Sequence, residues 1–362
     1  MSDGWHPAIW RGTPAAQQPD YADAAALSAV EADLAKADPL VRRDDVERLR
    51  QLLAEAAAGR ALLLQGGDCA ETFAEPDLAG LGSLFDTLAE QLPLPAVTIA
   101  RIAGQFAKPR TVEGRVWRGE IVNGRDDLEP DPERMRTALA HSRAIVGKLP
   151  PRLFTSHEAL LLPYEQALVR RSGDGRWWSG SAHFLWLGER SRQPDGAHVA
   201  FAAGIDNPLG VKLGVIEADE LRQLADRLDP HHEPGRLTLI VRMGTMIGAR
   251  LPGLMRALRQ DGRTPLWVSD PLHGNTERGG ARKVRRMDAV LREVRDFVAI
   301  ARSEGVHAGG LHLEMTPEDV AECSGSDEGM GWTSACDPRL NPRQAASTVR
   351  AFVEALSQRD AA

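Results

Sequence analysis

Past residue 60 the chain alternates between short apolar runs and longer stretches whose apolar residues recur at helical spacing. The runs are ALLLQGGDC, VTIARIAG, RLFTSHE, HFLWLGE, VKLG, TLIVRMG, PLWVSD and GGLHLEM, eight in all, each followed by polar residues or glycine. Between most of them lie stretches of helical composition such as EADELRQLADRL, LPGLMRALRQDG and VRRMDAVLREVRDFVAIARSEG. Continuous apolar runs alternating with helices mark parallel strands buried on both faces. Eight such units predict a closed (β/α)8 TIM barrel of the α/β class rather than an open doubly wound sheet. No GxGxxG follows the first run, which also points away from a dinucleotide fold.

The first 58 residues have a different texture. Residues 1 to about 20 are polar and Pro-rich and predict an extended arm, with Trp5 and Trp10 as anchors onto the body or a neighbouring subunit. From Ala22 to Ala58 the pattern is helical, and Gly59 is a natural stop. The expected division is an arm and helices over 1–58, packed on the barrel or on a partner, and a catalytic barrel over 59–362. The Trp-bearing arm suggests a homodimer.

Composition narrows the setting. The chain has 362 residues, 43% hydrophobic and 26% charged, with a net charge of -7 spread over both signs. Neither a nucleic-acid nor a membrane surface is indicated. Three cysteines do not make a disulfide framework, and no apolar run spans a bilayer or resembles a leader. A cytoplasmic protein is expected.

Chemistry-bearing residues gather where the runs end, which is the catalytic face of such a barrel. Cys69, His273 and Glu314 follow three of the runs, and Asp337 lies beyond the last. A thiolate, an imidazole and two carboxylates suit a first-row divalent metal such as Mn2+, Co2+, Fe2+ or Zn2+. A second set is basic: Arg101, Lys108, Arg110, Arg190, Lys212, Arg242, with Lys283 and Arg285 beyond. Such cations imply a strongly anionic substrate, or two. Each residue also has a plainer reading. A single buried Cys is more often a small core residue, and Cys323 and Cys336 are left there with His157, His183, His307 and His312. Glu189 beside Arg190 reads equally as a structural ion pair, Trp177 and Trp178 as packing, and KVRRMDAVLREVRD as a solvated helix face. Coincidence of position favours chemistry.

The motifs LQGGDCAETF, RIAGQFAKPR, TSHEALLLPYEQAL, HFLWLGERSRQPDGAHV, NPLGVKLG, IVRMG, DPLHGNT, HLEMT and CDPRLN, in this order, resemble those of the class II 3-deoxy-D-arabino-heptulosonate 7-phosphate (DAHP) synthases, from about Trp5 to Phe352. The resemblance implies a metal-dependent, aldol-type condensation of phosphoenolpyruvate with erythrose 4-phosphate, the first step of the shikimate pathway. It implies Cys69, His273, Glu314 and Asp337 as metal ligands. It places Arg101, Glu189, Arg190, Lys212 and Arg242 around phosphoenolpyruvate, and Lys108, Arg110 and Thr111 near the sugar phosphate. Lys212 and Glu189 become candidates for proton handling, with Arg242 beside them in the catalytic group.

The chain departs from the family in places. It is short between EIVNG and TSHEALLL, where feedback-regulated members carry extra helices, and so resembles short members serving specialised metabolism. KPRT stands for KPRS and SDPLHGNT for CDPMHGNT. The segment after Arg242, MGTMIGARLP, has Arg250 as its single basic residue, and the loop before Lys283 is one residue short. These differences motivate a second reading, a synthase for another aldehyde or imine of the aminoDAHP type. A third is a silent barrel that binds a partner; some family members dock with chorismate mutase.

Overall fold

The computed structural model describes residues 4–112, 115–279, 282–324 and 331–358. Its centre is a closed barrel of eight parallel strands. They are β1 (Leu62–Gly67), β2 (Ala96–Arg101), β3 (Phe154–Glu158), β4 (Phe184–Leu187), β5 (Leu209–Leu213), β6 (Leu237–Val241), β7 (Leu266–Ser269) and β8 (Ala308–Glu314). Each predicted run supplies one strand. β1 pairs with β2 and closes onto β8, Leu63 opposite Val97 and Gly310.

Side chains alternate across each strand, so parity decides what a residue meets. Leu62, Leu64, Leu185, Val211, Leu239 and Leu313 share a core with the surrounding helices. The opposite parity, including Leu63, Ile99, Phe184, Trp186, Ile240 and Val268, fills the barrel. The same inward parity continues upward into Gln65, Arg101, Ser156, Lys212, His312 and Glu314, all buried. The interior is apolar below and charged above, and a run that looks uniformly apolar therefore delivers a polar residue to the top.

The helical region predicted over Ala22–Ala58 is two helices, Ala24–Lys36 and Arg43–Ala57. Asp23 caps the first through the Ala26 N–H at 2.8 Å. Pro39 lies in the break between them, and Gly59 adopts φ +76°, a left-handed stop. Leu49, Leu53 and Ala56 of the second helix pack against the interior residues and plug the barrel from below. Each such leucine contributes roughly 2 kcal/mol of burial.

The arm lies on its own chain. Trp5 donates to the Ala200 carbonyl at 2.9 Å, and its ring occupies the space a side chain at Gly204 would need. Trp10 is buried and donates to Gln166 at 2.9 Å. Both anchors are therefore used within the subunit and argue nothing for subunit exchange.

Two local expectations need correction. The helix expected from Leu251 begins a turn earlier, at Ile247, and holds Pro252 within it, because Ile247 already packs in the core. KVRR is not part of a solvated helix face. Arg282–Arg285 pairs with Thr276–Gly279 as a two-stranded hairpin, and Arg285 is fully buried against Glu314. In the helix that follows, Met287–Ser303, Glu293 is buried as well. Among the described residues no helix is long and apolar enough to cross a membrane.

Candidate active site and metal centre

A cavity of about 1020 Å3 opens at the C-terminal ends of the strands. Lys108, Arg110, Glu189, Arg190, Lys212, Arg242, His273 and Asp337 line it. Arg101 and Glu314 lie beneath, fully buried, and Cys69 is buried beside them. The side chain of Thr111 lies outside the described residues.

The four proposed metal donors converge in two overlapping groups. The ligand atoms of His273, Glu314 and Asp337 lie within 4.8 Å of one another, as do those of Cys69, Cys336 and Asp337. His273 Nε2 is 2.9 Å from Glu314 Oε1, and the Asp337 N–H points at Cys69 Sγ at 3.3 Å. Soft, borderline and hard donors within one ion's reach fit a first-row divalent metal better than Mg2+ or Ca2+. Cys336, taken from sequence as a core residue, stands beside Cys69; its only sequence signal is adjacency to Asp337.

Asp270 sets the imidazole. It follows β7, three residues before His273, and accepts from the backbone N–H of His273 at 3.2 Å while lying 2.7 Å from Nδ1. That leaves Nε2 directed at Glu314, the carboxylate–histidine arrangement common around metals. Burial depresses the His273 pKa, while Asp270 and Glu314 pull it up. Asp270 also receives Lys212 Nζ at 3.0 Å. Burial pushes Asp270 up, but His273 and Lys212 outweigh it and hold the carboxyl well below its usual range. Sequence reading noted Asp270 only as the end of a run; the spacing DxxH was the available signal.

Glu314 is gripped from two sides. Arg101 donates to Oε1 at 3.0 Å and Arg285 to Oε2 at 2.6 Å. Burial alone would raise the Glu314 pKa; His273 and the two guanidinium groups bring it well below the usual value. Arg101 also meets His312 Nε2 at 3.2 Å, and His312 Nδ1 meets Gln65 Oε1 at 2.7 Å. Since Arg101 only donates, His312 accepts at Nε2 and carries its proton on Nδ1. Arg101 is thus committed to the floor and is not among the residues lining the cavity.

The remaining cations face the opening. Burial lowers the Lys212 pKa, with Asp270 pulling the other way, and its ammonium lies 6.0 Å from the Trp186 ring centroid. Arg242 pairs with Glu189 and donates to the His273 carbonyl at 3.3 Å. Glu189 also accepts from the Val215 N–H at 2.9 Å. The Arg190 side chain makes no hydrogen bond among the described residues. Asp337 pairs with Lys283, and Lys108, Arg285 and Lys283 bring its pKa to about 2 against burial and Glu314. Gln17, Gln18 and Arg118 also line the cavity and were not singled out from sequence; Glu158, the end of the run RLFTSHE, lines it as well. Gln18 fastens the arm there, donating to the Leu160 carbonyl at 2.7 Å and accepting from the Leu162 N–H at 3.0 Å.

Two buried carboxylates hold the surrounding loops. Glu71 accepts from the N–H groups of Ala103, Gly104 and Gln105 at 2.9, 2.8 and 2.6 Å, fixing the turn that leads to Lys108. Glu293 accepts from the N–H groups of Met243 and Gly244 at 2.8 and 2.9 Å, and from Asn275 at 2.6 Å. It joins the loop of Arg242 to the turn of His273. Those two loops touch backbone to backbone: a Cβ on Gly274 would stand 2.4 Å from the Gly244 nitrogen. Gly244 itself has φ +55°.

A family model described as the class-II DAHP synthetase family matches residues 5–151 and 149–353. A phospho-2-dehydro-3-deoxyheptonate aldolase of Streptomyces coelicolor is 39% identical over 437 aligned positions, covering 97% of each chain. A probable phospho-2-dehydro-3-deoxyheptonate aldolase of Pseudomonas fluorescens is 41% identical over 377 positions, covering 93% of this chain and 94% of its own. A solved phospho-2-dehydro-3-deoxyheptonate aldolase from Francisella tularensis superposes with a TM-score of 0.60 over 90% of this chain and 96% of its own. At 16% identity that likeness concerns the fold.

Proposed function

The chain belongs to the class-II DAHP synthetase family, and from that premise we propose a metal-dependent DAHP synthase whose metal is held by Cys69, His273, Glu314 and Asp337. It condenses phosphoenolpyruvate with erythrose 4-phosphate and releases phosphate. The observation that carries the metal reading is that one cavity has the donor cluster at its floor and cations around it, among them Lys108, Arg110, Arg190, Lys212 and Arg242.

Phosphoenolpyruvate carries a phosphate and a carboxylate, the groups that Arg forks and a Lys ammonium recognise. Arg190, Arg242 and Lys212 would hold them, with Arg101 supporting from below. Lys108 and Arg110, beside Asp337, would take the sugar phosphate together with Thr111. A divalent ion at the donor cluster would supply Lewis-acid polarisation of the aldehyde oxygen. C3 of phosphoenolpyruvate attacks the aldehyde carbon, water adds at C2, and the C2–phosphate bond breaks to leave the keto acid. Lys212, its pKa lowered by burial, would donate a proton, and Glu189 would accept one from the attacking water. Arg242, paired with Glu189, would orient it.

We also propose that the enzyme serves specialised metabolism in the cytoplasm without aromatic feedback. The Streptomyces alignment runs over 437 positions, more than the 362 residues here, so that relative carries segments this chain lacks. One observation supports the second reading, another aldehyde: Arg250 pairs with Glu217 at 3.4 Å and lies in a separate surface depression, not in the cavity.

The test is phosphoenolpyruvate consumption by the purified full chain with erythrose 4-phosphate and Mn2+, with and without EDTA. Loss that requires both aldehyde and metal supports the proposal. Loss untouched by EDTA in metal-depleted protein removes the metal reading. Faster turnover of an amino or imino analogue under identical conditions transfers the assignment to the second reading.

A further inference from the structure

We propose that Arg285 is a positioning residue for the metal centre: one guanidinium group fastens the three chain segments that carry His273, Glu314 and Asp337. This rests on the metal reading of the cluster. Sequence placed Arg285 with the substrate cations, but it is fully buried and does not line the cavity, whereas Lys283 does.

Its bonds run to three different segments. Nη1 donates to Glu314 Oε2 at 2.6 Å, at the end of β8. The same Nη1 donates to the carbonyl of Pro338, next to Asp337. Nε donates to the Thr276 hydroxyl at 2.8 Å, and that hydroxyl donates to the Leu272 carbonyl at 3.0 Å, next to His273. The planar guanidinium projects its donors in fixed directions, which a lysine ammonium on a single flexible stem does not do.

Two consequences follow for the donors. Arg285 engages Oε2 of Glu314, and Oε1, which Arg101 also reaches at 3.0 Å, is the oxygen turned toward His273, at 2.9 Å. Arg285 also places a permanent positive charge beneath Glu314 and Asp337, two anionic groups that would repel one another before an ion binds. Loss of an outer partner of this kind typically weakens metal binding by about 10–100-fold.

The experiment titrates metal-depleted, full-length protein with Co2+, following the thiolate-to-cobalt and ligand-field absorption. Wild type, Arg285→Met, Arg285→Lys and Thr276→Val are compared, and phosphoenolpyruvate binding to each metal-free protein is measured by calorimetry. The expected result is Co2+ affinity lowered about 10–100-fold in Arg285→Met with altered ligand-field bands. Smaller losses are expected in Arg285→Lys and Thr276→Val, with phosphoenolpyruvate affinity unchanged throughout. Wild-type Co2+ affinity and spectra in Arg285→Met overturn the inference. So does a loss of phosphoenolpyruvate affinity with Co2+ binding intact, which would make Arg285 a substrate contact. If Arg285→Met does not fold, Thr276→Val decides: a titration identical to wild type overturns the proposal. A wild type that takes up no Co2+ refutes the metal reading itself.

Discussion

Arg339 Nη1 lies 3.1 and 3.0 Å from the two carboxylate oxygens of Asp68 and donates to both. Asp68 precedes Cys69, and Arg339 follows Asp337 by two residues, so this ion pair clamps two segments of the proposed metal site, whose donors are 268 residues apart. The rest of the Arg339 guanidinium is held by Glu322 at 3.0 and 3.1 Å. Because Glu322 keeps Arg339 paired, Asp68→Ala should fold. A stability cost of about 1–3 kcal/mol is expected, with Mn2+ affinity down roughly tenfold. The rise in Tm on adding Mn2+ should shrink accordingly. An unchanged Mn2+-induced rise would show that the clamp does not organise the site.

Glu71 should leave a mark on the pH dependence of stability. Burial raises its carboxyl from 4.5 to about 7, although three backbone N–H bonds pull the other way. The folded state then holds a proton that the unfolded chain has lost between those values. This group's contribution is fully present below about pH 4.5 and is lost as pH rises through about 7, on the order of 3 kcal/mol in total. Glu71→Gln removes that titration, so Tm should fall less steeply across the window. Glu293, also raised to about 7 by burial, keeps part of the slope. Parallel Tm–pH curves for wild type and Glu71→Gln would contradict the assignment.

Glu293 is expected to act through Arg242 and His273 rather than on substrate. Glu293→Gln must turn an NH2 group either toward the N–H donors of Met243 and Gly244 or toward the Asn275 amide. At least one buried donor then loses its acceptor, at about 1–3 kcal/mol each. Both kcat/KM and metal affinity should fall about tenfold. Gly274→Ala, which forces the same two loops apart, should fall in the same way. Full activity in Gly274→Ala would show that the contact between the loops is dispensable.

Lys212→Met tests proton handling. The expected loss in kcat is about 10²–10⁴-fold. Asp270 would keep His273 as its remaining partner and raise the imidazole pKa, so Mn2+ affinity should fall more steeply as the medium is acidified than in wild type. A variant that retains kcat and weakens only KM for phosphoenolpyruvate would make Lys212 a binding residue.

The order of strands and helices, the stop at Gly59 and the crowding of cations and donors at the strand ends were legible in the chain itself. Those features follow from local periodicity and from the rule that a barrel strand delivers its last residues to one face. The family motifs added candidate roles for particular residues. The partners of those residues were not legible. Nothing near Arg285 in sequence announces Glu314, and nothing near Cys69 announces Cys336. Arg101 reads as a pocket cation until Glu314 and His312 are seen to occupy it.

The reason is physical. Apolar spacing is a local quantity, set by the 3.6 and 2.0 periods of helix and strand. Burial, and with it the pairing of charge, depends on which distant segments closure of the barrel brings together. The sequence by itself determined that this chain closes eight strands into a barrel with acids, cations and a thiol at one mouth. The tertiary structure alone decided that Asp270 aims His273, that Arg285 and Arg101 share Glu314, and that Trp5 and Trp10 dock on their own subunit.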